Sequence, residues 1–273
     1  MEMTGVLNLF GEYRDHVLAY ILTLPRIYAF VAATQILNTQ IMPRIARNVA
    51  VLVLAMPLNP MLLPAVPAIT ASLPLYMLYF AKEAALGFIM GYLLFWLFWA
   101  VQTSGTLIDN QRGTAIASSI DPLQGHEASP LGILFSQAFT TYFFALGGFL
   151  VVIGLLYNSY SAWPVTSLLP IMDPAFPAFI LEVLDTGMML CVLLSAPIVV
   201  IMFLAEFALA MVSRFAPQVQ VFILAMPIKS AIAMLILLFY MPIMFSHAVG
   251  EQALVDEFFD RFYEIMRSGS SMP

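Results

Sequence analysis

Long uncharged apolar runs dominate the chain. Ala84–Ile108 passes 25 residues without a charge and Ala128–Met172 passes 45. About 20 apolar helical residues at ~1.5 Å each cover the ~30 Å hydrocarbon layer of a bilayer, so both runs predict membrane-spanning helices. Between them lies a polar island, Gln102–Pro130, QTSGTLIDNQRGTAIASSIDPLQGHEASP. Its Asp109, Arg112, Asp121 and Glu127 are the only charges between Glu83 and Asp173. So much Gly, Asp, Asn, Gln and Ser reads as a connection that faces water or lies inside protein, because bare backbone and charge do not face lipid.

The rest of the chain repeats this theme with interruptions. Val17–Leu37 predicts a first span, with Pro25 and Arg26 at its middle. Proline kinks a helix, and arginine at the centre of a lipid-exposed span costs ~2.5–3.5 kcal/mol. Arg44 and Arg47 follow on a short linker, and Asn48–Ala81 then carries Pro57, Pro60, Pro64, Pro67 and Pro74. Five prolines exclude one straight helix and predict a helix, an irregular turn and a second helix. Gly87 and Gly91 form a GxxxG pair, which brings two glycines to one helical face for close helix packing. Gly147, Gly148 and Gly154 offer a similar small-residue surface, and Trp163, Pro164, Pro170, Pro174 and Pro177 mark a loop.

Thr186–Ala205 is the next uncharged run. The block Ala205–Ser230, AEFALAMVSRFAPQVQVFILAMPIKS, then sets Glu206, Arg214, Gln218 and Lys229 among apolar residues and inserts Pro217 and Pro227. It reads as helix broken at both prolines, with polar groups at the breaks. Glu206 and Arg214 are ~12 Å apart along a helix, too far to bridge, so each needs another partner. Ser230–Gly250 is a last apolar run. Over 251–267, Leu254, Val255, Phe258, Phe259, Phe262, Ile265 and Met266 recur at helical spacing against Asp256, Glu257, Asp260 and Glu264. This is an amphipathic helix, and its acidic polar face favours packing on a protein partner over binding anionic lipid. Residues 268–273 are expected to form a disordered tail.

Composition agrees with this pattern. The chain is 62% hydrophobic and 10% charged, against roughly 45–50% apolar and ~25% charged in soluble domains. The fold class is therefore all-α, polytopic and membrane-type, read as one unit over 1–273 without room for a separate soluble catalytic domain. A net charge of −6 leaves no basic patch for nucleic acid. The first sixteen residues mix charges and lack the basic start of a cleavable signal. Cys191 is the single cysteine and forms no intrachain disulfide.

Signatures of catalysis are weak. Asp185-Thr186-Gly187 resembles an aspartic-protease motif but has no second copy to share a proton. His126-Glu127 lacks the second histidine of a zinc site, since Pro130 stands there. No cofactor or metal is expected. Three classes remain: a subunit of a membrane-embedded export machine, a small-solute transporter or channel, and a membrane enzyme. The sequence shows no two-fold internal repeat, which disfavours a transporter.

The blocks TSGTLIDNQRG with IDPLQGHEASPLG, and AEFALAMVSRFAPQVQVFILAMPIKS, closely resemble the SctT/FliR family, export-apparatus proteins of type III secretion systems and bacterial flagella. The wording of the island is more similar to the injectisome branch than to the flagellar one. The resemblance implies a non-enzymatic subunit of the bacterial inner-membrane export gate, within the type III secretion basal body. It implies helical hairpins with proline-broken helices, packed with SctR-like and SctS-like subunits into a helical pore for unfolded proteins. An SctU-like protein is the implied neighbour at the entrance. By the same resemblance Gly105, Asp109, Gln111, Arg112, Gly113, Asp121, Pro122, Gly125 and Glu127 belong to a loop that keeps the pore closed. Gly105 and Gly113 are expected to permit turns, and Asp109 and Arg112 to pair or to bond neighbouring subunits. Glu206, Arg214, Pro217, Gln218, Pro227 and Lys229 are expected to make polar contacts between subunits, with an internal network as the other reading.

Overall fold

The computed structural model describes residues 2–34, 36, 42–69, 72–113, 129–168, 174–215 and 221–270. Among them are eight long helices and no strand: α1 (Glu2–Thr34), α2 (Arg44–Ala55), α3 (Leu73–Arg112), α4 (Pro130–Ala145), α5 (Gly148–Ala162), α6 (Phe176–Phe215), α7 (Val221–Gly250) and α8 (Gln252–Ser270). Five stretches are long and apolar enough to cross a membrane, and the broken pair α4–α5 makes a sixth if counted as one span. The chain is a polytopic all-α membrane protein.

Prolines punctuate these helices in different ways. From Met56 to Ile69 the chain steps through four short helical turns, with Pro57, Pro60 and Pro64 near the starts of three of them. The expected irregular turn is thus a chain of single turns, because proline fits the first positions of a helix and blocks continuation of the one before. Pro25, Pro197, Pro227 and Pro242 instead lie inside long helices. Pro227 therefore does not break the chain as its sequence suggested. It comes seventh in α7, where the lost hydrogen bond falls on the first turn.

The described chain divides into two compact units. One comprises residues up to Phe95 together with Phe149–Ile180 and Leu254 onward, and the other Trp96–Gly148 with Leu181–Ala253. In the first unit, tyrosines tie helices together by donating to main-chain carbonyls. Tyr20 donates to Leu52, Tyr157 to Leu54 at 2.9 Å, Tyr160 to Thr23 at 3.1 Å and Tyr263 to Leu155 at 2.6 Å. A helical carbonyl keeps a second lone pair after its own helix bond, so such struts need no break in the ladder. Gly87 and Gly91 face α1. A Cβ on Gly87 would overlap the Arg26 carbonyl, and one on Gly91 would lie 2.5 Å from the Ala33 Cβ.

The terminal helix α8 packs Phe258 edge-on to Phe179 at 6.0 Å and buries Phe259 and Phe262. Its apolar face is thus covered by this chain and not by the protein partner its acidic polar face suggested. Helix continues through Ser270, three residues beyond the expected end, and residues 271–273 fall outside the described set.

The second unit is centred on aromatic side chains. Phe98 meets Phe139 and Phe143 edge-to-face at 5.3 and 5.1 Å, and Phe135 meets Phe245 at 6.1 Å. Such pairs each add ~0.5–1.5 kcal/mol beyond area burial. Gly147 has φ +81, the left-handed conformation that ends α4. A Cβ on Gly148 would strike the Phe143 ring, whereas Gly147 and Gly154 have open space around them. Gly147 and Gly148 form a helix break and Gly154 lies mid-helix in α5 with nothing against it, so the packing surface expected from the spacing does not form.

Candidate functional site

The polar island begins as helix. α3 runs through Arg112 with Ser104, Gly105, Ile108, Asp109 and Arg112 buried. Gly105 therefore makes no turn; a Cβ there would sit 2.7 Å from the Leu131 carbonyl oxygen. A reciprocal gap exists at Gly132, where a Cβ would meet Thr106 Oγ1 at 2.7 Å. Two backbones are in contact at a height only glycine allows. Gly113 does turn the chain, with φ +90 and its N–H donating to the Asn110 carbonyl at 3.0 Å. It occupies the left-handed position that commonly follows a helix end.

At the other edge of the island, Ser129 caps α4 and Pro130 opens it. Ser129 Oγ accepts from the Gly132 N–H at 2.9 Å. Asp109 joins the two edges. One carboxylate oxygen takes the Arg112 guanidinium; the other accepts from Ser129 Oγ at 2.6 Å and from the Leu131 N–H at 2.8 Å. A carboxylate at a helix N-terminus meets free N–H groups and the positive end of the dipole. With its Asp109 side chain only 1% exposed, the contact works at low dielectric. One residue thus binds both ends of the chain between Gly113 and Ser129.

A second charged pair lies in the same unit. Lys229 Nζ approaches Glu206 Oε2 at 2.5 Å and the Gln111 carbonyl at 3.5 Å. The Gln111 carbonyl belongs to the last turn of α3, where unpaired carbonyls and the dipole favour a cation. A Cβ on Gly113 would lie 3.5 Å from the Met226 side chain of α7, one turn before Lys229. The second unit therefore brings Gly105, Asp109, Gln111, Arg112, Gly113, Glu206 and Lys229 to the end of α3. Arg214, exposed in the last turn of α6, has no ion pair among the described residues. Pro227 is exposed on α7. Asp121, Pro122, Gly125, Glu127, Pro217 and Gln218 lie outside the described residues.

Gly87 and Gly91 belong to the first unit, beside a centre the sequence reading did not assemble. Arg26 and Glu83 are both 0% exposed. Arg26 Nε and Nη2 donate to the two Glu83 oxygens at 2.6 and 2.9 Å, while Nη1 reaches Ser159 Oγ at 3.1 Å and Nη2 the Trp163 carbonyl at 3.0 Å. The guanidinium carbon lies 4.1 Å from the Tyr160 ring centroid. Lys82 adds a 2.7 Å contact to Glu83 and donates to the Val165 and Ser167 carbonyls at 3.0 Å. The residues missed from sequence were Glu83 and Ser159 here, and Ser129 and Gly132 at the island. Ser129-Pro130 carried a usable signal, a helix cap followed by proline at the first position.

The described residues thus form a helical membrane protein in which Asp109 ties the end of α3 to the start of α4. The chain belongs to the family of bacterial export proteins, family 1, which matches residues 17–253. It is 39% identical over 239 residues to the Yop proteins translocation protein T of Yersinia pestis, covering 87% of this chain and 91% of that protein. It is 32% identical over 207 residues to the surface presentation of antigens protein SpaR of Salmonella typhimurium, 75% of each chain. The flagellar biosynthetic protein FliR of Bacillus subtilis is 30% identical over 171 residues, 62% of this chain and 66% of that one. Injectisome-type and flagellar names both occur, as the SctT/FliR resemblance implied, and the Yersinia protein matches with higher identity over more of the chain than the Bacillus one.

Proposed function

We propose that this chain is a non-enzymatic subunit of a type III secretion export gate in the bacterial inner membrane. In this reading it joins SctR-like and SctS-like subunits in a pore for unfolded proteins, with an SctU-like protein at the entrance. The observation that carries the reading is similarity to a translocation protein of the Yop system across 91% of that protein's length. The loop between α3 and α4 helps keep the pore closed at rest. Support for this comes from the Asp109 clasp, which holds the loop's two ends together and gives a long polar segment a fixed base. Exposed Arg214 and half-exposed Glu206 are the charged groups most available to neighbouring subunits.

The test is co-purification in mild detergent, with the tagged chain expressed beside its neighbouring membrane genes and alone. A stable complex with two small helical membrane proteins, lost on charge reversal at Arg214 or Lys229, is the expected result. A monomer that moves a small solute overturns the reading. For the loop, deletion of Thr114–Ser119 is expected to leave the complex assembled but leaky to small ions. A membrane that stays tight after that deletion removes the closing role.

A further inference from the structure

In the first unit, faces of α1, α2 and α3 enclose an apolar groove of about 480 Å³. α1 supplies Ile21, Pro25 and Tyr28, α2 supplies Asn48 and Leu52, and α3 supplies Phe80. On each helix the lining residues recur at three- and four-residue steps, so each presents one stripe. The groove is open outward: Ile21, Tyr28, Leu52 and Phe80 are 39–48% exposed. It runs ~12 Å along α1 from Ile21 to Ala29, and the Asn48 amide is its one hydrophilic side chain apart from the Tyr28 hydroxyl.

Its mouth is cationic. The Arg47 guanidinium stands 5.9 Å from the centroid of Tyr28, a lining residue, and Arg44 is exposed one turn earlier. Neither arginine has an ion pair among the described residues, in a chain of net charge −6. Both occupy the first turn of a stretch, Arg44–Leu62, able to cross a membrane. In a bilayer the ends of such a stretch meet the headgroups, where tyrosine and arginine anchor.

We propose that this groove binds an anionic glycerophospholipid, one acyl chain lying between α1, α2 and α3 and the phosphodiester held by Arg44 and Arg47. The apolar lining disfavours a water-soluble anion, and basic pockets between membrane helices suit anionic headgroups. The cavity volume falls in the ~300–1,000 Å³ range of small-ligand sites. A helix from another protein, ~10 Å wide with its side chains, would need a broader and shallower face.

Native mass spectrometry of the full-length chain in mild detergent tests this, with palmitoyl-oleoyl phosphatidylglycerol and the matching phosphatidylcholine as probes. Saturable retention of one phosphatidylglycerol is expected, weakened about fivefold by each of Arg44→Gln and Arg47→Gln. Phosphatidylcholine binding should be weaker and indifferent to those changes. Ala84→Leu and Ala29→Leu each fill the groove and should remove both lipids, so one well-folded filler suffices. Unsaturable binding, or binding unchanged by the arginine variants, overturns the proposal. So does a photo-crosslinker at position 52 that labels protein instead of lipid in native membranes.

Discussion

In the first unit Arg26, Lys82 and Glu83 are enclosed by α1, α3 and α5, and their charged atoms meet carboxylate, hydroxyl, carbonyl or aromatic partners from the same chain. In the second unit Glu206 is 50% exposed, its partner Lys229 spends one contact on a helix-end carbonyl, and Arg214 lies open. Asp109 and Arg112 fall between these extremes, buried but placed at the edge of the polar loop. Charge in apolar sequence therefore has two uses here. Saturated charge registers helices against each other, and charge left open is available to something outside the chain.

Substitutions can break that contrast. Glu83→Ala should have the largest effect, because it leaves Arg26 and Lys82 buried without their carboxylate, at about 3–5 kcal/mol. Thermal melting in detergent should show it, and the double change Arg26→Met with Glu83→Leu should recover most of the loss. Asp109→Ala should cost about 2–3 kcal/mol, since it strands Arg112 and uncouples α3 from the start of α4. Limited proteolysis should then cut faster between those helices, with the first unit's melting unchanged. Gly87→Ala comes next, about 1–3 kcal/mol, because its methyl collides with the Arg26 carbonyl. Gly154→Ala, mid-helix with open space around it, is the control that should not destabilise and should gain about 0.5–1 kcal/mol. Lys229→Gln should destabilise the isolated chain by at most about 1 kcal/mol, as expected for a pair whose carboxylate is half-exposed. If Glu83→Ala proves no worse than Lys229→Gln, sealed and open charge do not differ.

Local rules made the helices and their punctuation legible. Uncharged runs marked most of the spans, although the longest, Ala128–Met172, holds two short helices bent by 79° at Gly147, and the spacing of Leu254, Val255, Phe258 and Phe262 marked α8 with its buried face. Proline was legible less evenly: the Met56–Ile69 steps followed from it, while Pro227 and Pro242 lie within α7 because a membrane helix with packed neighbours tolerates a lost hydrogen bond. The island's first eleven residues are helix although they read as a connection, since Thr103, Ser104 and Gly105 suit close helix contact as well as loops. Pairings at long range were not legible. Arg26 stood out as a costly cation, but nothing local tells that its carboxylate is 57 residues away and its hydroxyl 133.

Those separations also set a clock for biogenesis. At ~5–20 residues per second, Glu83 is synthesised about 3–11 s after Arg26 and Ser159 about 7–27 s after it. Until Glu83 is made α1 carries an arginine with none of its long-range partners, and until Ser159 is made it lacks part of them, so the helix is a poor candidate for early release from the insertion machinery. Assembly of this charged centre is then a late event, completed only once α5 and Trp163 emerge, and a chain stopped after α3 would present Arg26 and Glu83 but lack the Ser159 hydroxyl and Trp163 carbonyl that finish the site.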